Sequence, residues 1–204
     1  MKLLLIAILV ISSAMAKQGF IPRKFSTKFK QEIISSLTGK KRTSDGTIDY
    51  MYPGKIKFTV QEADGTSSVF VSNNKKSWYY TPPFIEGEPG DVVVQSAKRV
   101  KYYQFFDILV KGLNSNKLYD VATKSDHHEL TFKPISRKQF KLKNVRLYFR
   151  DDKKKTLSNV SKIILVKENN KEVNLYFDQF NLKKDFQKSF FDFKIPKNTK
   201  ITQN

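Results

Sequence analysis

Gly46-Thr-Ile-Asp-Tyr-Met-Tyr-Pro53-Gly-Lys-Ile-Lys-Phe58 is the stretch from which the fold of this chain can be read. Ile48, Tyr50 and Tyr52 fall on every second position, and Pro53-Gly54 supplies turn chemistry. Ile56, Phe58 and Val60 then resume the alternation, with Lys55, Lys57 and Thr59 between them. A period of two puts the apolar residues on one face of a strand and the polar ones on the other. Two such runs joined by a proline-glycine turn predict an antiparallel pair with one apolar side.

The pattern extends in both directions. Upstream, Phe25, Thr27, Phe29, Gln31 and Ile33 share one parity. Downstream come Val69 and Val71, Val92 and Val94, Leu130 and Phe132, then Val145, Leu147 and Phe149. Runs at 163–166, 173–177 and 190–195 bring the count to about ten strands. Ala63-Asp64-Gly65, Asn73-Asn74 and Asn169-Asn170 stand where hairpin turns are needed. One window, 97–113, reads as a helix: Val100, Tyr103, Phe106, Leu109, Val110 and Leu113 recur at three- and four-residue spacing. Ser96 is the candidate N-cap and Gly112 the candidate stop. The expected fold is mainly β with a few helices, a single curved antiparallel sheet with helix laid upon it. Sheets beyond about ten strands curl or close, and the inside is then either filled by side chains or hollow.

Residues 1–16 read as an export signal. Lys2 gives a positive start, residues 3–11 are unbroken apolar, and Ala14-Met15-Ala16 matches the small-x-small cleavage pattern. The apolar run is shorter than the ~20 residues that span a bilayer. Cleavage would leave 17–204 as a single domain, and with no cysteine in the chain there is neither a disulfide scaffold nor a cysteine to lipidate. The expected product is an unanchored periplasmic protein. Of the net charge of +19, +18 remains once Lys2 is gone. Such a surface attracts polyanions, anionic lipid among them, or serves as a solubilising coat.

Chemistry is sparse. His127 and His128 are adjacent, so in a strand they point to opposite faces and cannot share a metal; a solvated pair is expected. Asp151-Asp152 beside Lys153 to Lys155 reads as a solvated turn, and there is no nucleophile elbow, zinc-protease motif or phosphate loop. The chain is expected not to be an enzyme and to hold no metal or cofactor. Its lysines are spread as the polar half of many strands, which argues against nucleic acid as a partner.

Several segments together resemble the periplasmic outer-membrane lipoprotein carrier (LolA) family. Phe25-x-x-x-Phe29-x-Gln31 is similar to the family's opening strand, and residues 46–58 to its strand, proline turn and aromatic strand. Residues 71–82, ending Trp78-Tyr-Tyr80-Thr-Pro82, resemble the next hairpin, and residues 191–201 the closing strand. The resemblance implies an unclosed β-barrel under a helical lid, binding lipoprotein acyl chains in an apolar cavity. Such a carrier takes its cargo from an inner-membrane lipoprotein-releasing transporter and gives it to an outer-membrane acceptor, and is expected to be monomeric.

On this reading Ile48, Tyr50, Ile56, Phe58, Val69, Val71 and Trp78 line the concave face, and Val100, Phe106 and Leu109 cover it from the lid. Packed core is the other reading of the same residues. Two departures stand out. Few residues precede Phe25 where the family has a helix, and Tyr52 stands where family carriers place an arginine implicated in passing cargo onward. Two other functions therefore stay open: a LolA-like carrier of a different amphiphile, and an exported polyanion-binding module with a filled core.

Overall fold

A computed structural model describes residues 19–34, 39–61, 65–100, 102–110 and 112–204. The signal-like stretch 1–16, Ala63-Asp64 of one predicted turn, and the side chain of Tyr103 lie outside the described residues.

Twelve strands form one sheet: β1 (Lys24–Ile34), β2 (Lys41–Met51), β3 (Lys55–Gln61), β4 (Ser67–Asn73), β5 (Lys76–Thr81), β6 (Gly90–Ser96), β7 (Tyr119–Thr123), β8 (His128–Phe132), β9 (Leu142–Phe149), β10 (Val160–Lys167), β11 (Glu172–Asn181) and β12 (Thr199–Gln203). Their order is β12-β6-β5-β4-β3-β2-β1-β11-β10-β9-β8-β7. Two meanders thus flank β1, which pairs with β2 on one side and with β11 on the other. In the opening hairpin Ile48 faces Phe58 and Tyr50 faces Ile56, as the alternation requires. Gly54, Asn74 and Asn170 take positive φ in their turns. The end strands β7 and β12 do not pair, so the curved sheet is an unclosed barrel.

This topology forces two long crossings. From β6 the chain must reach β7 at the opposite end of the sheet, and that crossing carries the helix α1 (Tyr102–Leu109). Eight residues are too few for a helix that stands alone, since isolated helices need about 12–15. Its stability comes from burying Phe105, Phe106 and Leu109 against the sheet's inner face. From β11 the chain must travel to β12 beside β6, and it does so over the outer face. Along this path Phe193 packs on Tyr80 at 5.7 Å between ring centroids, Lys57 Nζ lies 5.3 Å above the Phe190 ring, and Asn73 Nδ2 donates to Asp192 Oδ1 at 2.7 Å. A second short helix, α2 (Pro134–Phe140), precedes β9 and buries Ser136 and Phe140.

The structure corrects several expectations. The predicted 97–113 helix is broken: a 3-10 turn at Ala97–Arg99 ends in extended backbone at Val100, and α1 begins only at Tyr102. Ser96 makes no side-chain cap. Residues 190–195 are not a strand, because Phe186, Phe190 and Phe191 cluster in a turn, with ring centroids 4.9–5.1 Å apart, held by bonds such as Phe190 N–H to Gln187 O. The closing strand is β12, and it runs parallel to β6, whereas all other pairs are antiparallel. His127 and His128 do face opposite ways, yet neither is a solvated loop residue. His127 stacks on Tyr148 at 5.3 Å, and His128 is buried in β8 edge-on to Phe149, where burial and nearby Lys155 hold its pKa below the ordinary value.

Gly46 shows how tightly the first strands fit. A β-carbon there would lie 2.3 Å from Phe29 Cζ and 2.5 Å from the Thr59 carbonyl oxygen. Glycine lets the Phe29 ring lie across β2 and stack on Phe58 at 4.9 Å. Overpacking of this kind costs about 1–3 kcal/mol. Gly46→Val should therefore lower the thermal midpoint by several degrees in circular dichroism, while Gly65→Ala, which meets no neighbouring atom, should cost only the strain of its left-handed backbone (φ 83°).

Candidate functional site

Curling of the sheet beneath α1 leaves a cavity of about 360 Å³, within the ~300–1,000 Å³ range of small-molecule sites. Twenty of its 22 lining residues are Phe, Ile, Leu or Val, nine of them Phe, and none is charged. Phe25, Ile48, Ile56, Phe58 and Phe70 supply one wall from β1 to β4. Leu147, Ile163, Leu165, Val173, Leu175 and Phe177 supply the other from β9 to β11. Phe105, Phe106 and Leu109 of α1 and Phe140 of α2 close the top. Tyr79, 49% exposed, marks where the cavity meets solvent.

One wall is built by an irregularity. Thr27 pairs with Phe180 but Phe29 pairs with Phe177, so β11 carries one extra residue there and bulges. The bulge lets both Phe177 and Phe180 line the cavity, 5.5 Å apart. Arg150, at the end of β9, holds it open: its guanidinium donates to the carbonyls of Phe177 (2.5 Å) and Asp178 (3.2 Å) as well as Val160 (2.8 Å).

The lid is tethered by one carboxylate. Asp107 on α1 accepts from the Tyr50 hydroxyl at 2.6 Å and from the Gly54 backbone N–H at 3.1 Å, joining the helix to β2 and to the β2–β3 turn. Burial, then the hydrogen bond to Asp107, pushes the Tyr50 phenol well above its ordinary pKa, so it stays a donor. Phe25, Tyr50 and Phe106 pack around the tether with centroids 5.4–6.3 Å apart. The segment before β1 ties down the far end of the helix, where Ile21 N–H donates to Leu109 O, and Leu157 N–H in turn donates to Phe20 O.

Of the residues expected at the cavity, Ile48, Ile56, Phe58, Phe106 and Leu109 line it together. Tyr50 sits beneath the lid as tether and core, and Val100 is buried in the link between the 3-10 turn and α1. Val69, Val71 and Trp78 belong to the outer face. Phe70 and Tyr79 take the inner positions on β4 and β5. β4 reads Val-Phe-Val, so alternation alone names no face; the outer face is apolar because the segment between β11 and β12 covers it. Val71, Val92 and Phe191 are buried there, apart from the main core. Tyr52 is half-buried with the Arg23 guanidinium 5.2 Å above its ring, and residues 19–23 form no helix. The lining residues of β9 to β11, α2 and the bulge went unforeseen, although the apolar runs at 163–166 and 173–177 were their signal.

A hydrogen bond to a charged group is worth about 1.5–3 kcal/mol. Tyr50→Phe removes one while keeping the ring, so amide hydrogen exchange in α1 should accelerate roughly 10- to 150-fold. Exchange in β2 and β3 should change far less.

The model of the outer membrane lipoprotein carrier protein LolA family matches residues 22–194. Among relatives, outer-membrane lipoprotein carrier proteins of Francisella tularensis subsp. tularensis (strain WY96-3418) and subsp. holarctica (strain OSU18) are each 22% identical over 178 residues, 86% of this chain and 80% of theirs. Similar solved structures include a LolA superfamily protein from Nitrosomonas europaea, with TM-score 0.48, 11% identity, and coverage of 85% of this chain and 92% of that one. A DUF1329 family protein from Desulfovibrio piger gives TM-score 0.43 and 11% identity, covering 84% and 90%. No helix among the described residues is long and apolar enough to cross a membrane, and no group of acids and histidines among them could hold a metal ion. With the family model spanning the fold from the residues before β1 to the segment leading into β12, this chain belongs to the LolA family of outer-membrane lipoprotein carriers.

Proposed function

We propose that this protein is a periplasmic carrier that shelters the acyl chains of lipoproteins between the sheet and α1 during passage from the inner to the outer membrane. The single observation that carries the reading is a cavity lined by twenty aliphatic and phenylalanine side chains with no charge among them. Each methylene moved from water into such a site gains about 0.8 kcal/mol, so an acyl chain binds firmly without a polar anchor. Family membership supports lipoprotein as the cargo. In this account residues 1–16 are an export signal removed at Ala16, residues 17–204 form one carrier domain acting as a monomer, and an inner-membrane transporter and an outer-membrane acceptor flank the cycle.

Release needs the lid to move. The aromatic contacts of α1 are non-directional and tolerate sliding, whereas the Asp107 tether is directional and must break. Opening therefore costs the tether, the Ile21 N–H to Leu109 O bond where the far end lifts as well, and the covered apolar area, and an acceptor offering equal apolar surface restores the last. No bond-making step is required, which agrees with a carrier role.

A different amphiphile as cargo is the second reading, favoured by Tyr52 in the position of the family's transfer arginine. The polyanion-binding reading required a filled core, and the cavity removes that premise.

Mass spectrometry of the protein purified from cells after export distinguishes the readings. Lipoprotein should co-purify, free lipid alone would favour the second reading, and an empty protein would contradict both. Phe58→Glu places a charge in the wall and should abolish that co-purification, with the circular dichroism spectrum retained. Global unfolding of the variant would mark Phe58 as indispensable core.

A further inference from the structure

Of the exposed apolar side chains among the described residues, Phe84 and Ile135 are the most exposed, and they differ in the charges around them. Phe84, 97% exposed, stands with exposed Ile85 in the β5–β6 loop, where Glu86 and Glu88 follow, with Asp91 at the start of β6. Ile135, 83% exposed, stands on α2, where residues 133–143 carry Lys133, Arg137, Lys138, Lys141 and Lys143 and no acid. Ile135 and Lys138 are three apart and share a helix face, opposite the buried Ser136 and Phe140. Lys138, Lys141 and Lys143 are exposed. The Lys133 N–H donates to Leu118 O at 2.9 Å, which brings exposed Lys117 to the same corner. Asp120 pairs with Lys133 at 3.1 Å and leaves the corner cationic.

We propose that the outer face of α2 docks on an anionic phospholipid surface, with Ile135 entering the headgroup boundary and the lysines around it meeting lipid phosphates. A short amphipathic element with an apolar tip and basic flanks is suited to that interface, and anionic leaflets attract such clusters. A folded acidic protein fits less well. Stable protein interfaces bury about 1,200–2,000 Å² around an aromatic or aliphatic centre, whereas here one side chain projects alone among long lysines. The inner face of the same helix presents Phe140 to the cavity, so docking would bring the cavity's rim against the bilayer. This surface is independent of what the cavity holds.

Flotation of the protein without its first 16 residues, with vesicles of phosphatidylcholine alone or mixed with phosphatidylglycerol, tests the proposal. Binding should occur on the mixed vesicles only and weaken as added salt shortens the screening length. Each lysine near the surface contributes about five-fold in affinity, so Lys138→Glu with Lys141→Glu should weaken binding at least about 25-fold. Ile135→Ser should weaken it several-fold, and Phe84→Ser should leave it unchanged. All variants should keep their thermal midpoint and their affinity for a fluorescent fatty acid in the cavity. The proposal is overturned if the wild type ignores anionic vesicles, as it would if an acidic protein were the partner. Equal binding to neutral vesicles, or loss on Phe84→Ser but not on Ile135→Ser, overturns it as well.

Discussion

The contact on which the rest of this structure depends is the seating of α1 across an open sheet, fixed by the Asp107 carboxylate on the Tyr50 hydroxyl and the Gly54 amide. A twelve-stranded sheet whose end strands do not pair has an inner face that would otherwise lie open to water. Because β6 and β7 lie near opposite ends of the strand order, the chain must make a long crossing between them, and it makes it over that face. Placing Phe105, Phe106 and Leu109 on the crossing turns it into a roof. The helix is short, so packing holds it, while the Asp107 tether and the bond from Ile21 N–H to Leu109 O set its position.

The return crossing solves the matching problem outside. Between β11 and β12 the chain lays Phe190, Phe191 and Phe193 over the outer side of β3 to β6, burying Val71 and Val92. The sheet is therefore apolar on both faces along β4 to β6. One face is packed solid against its own chain and the other is left hollow. The bulge at Phe177 and Phe180, held by Arg150, adds to the hollow side, on which the proposed carrier function rests.

How much of this was legible in the sequence follows from how local each signal is. Alternation in residues 46–60 and the Pro53-Gly54 turn are local, and they foretold the hairpin and its register, with Ile48, Ile56 and Phe58 at the cavity. Val69, Val71 and Trp78 were assigned to the wrong face because Val-Phe-Val is apolar at both parities, and only the distant 182–198 segment decides which side is covered. The helical window ran too long because Val100 keeps its apolar spacing while its backbone is extended. α2 has seven residues, too few for a periodicity, although Pro134 at its first turn was a start signal. Asp107 carried no sequence signal at all, since its role depends on Tyr50 and Gly54 more than fifty residues away.

Mapping of a photoactivatable diacylated lipopeptide bound to the protein, by cross-linking and peptide mass spectrometry, tests most directly that the hollow face is the binding face. The account predicts labels on Phe58, Phe106 and Leu175, all lining the cavity. Labels concentrated on Trp78, Phe190 and Phe193 of the opposite face would contradict it.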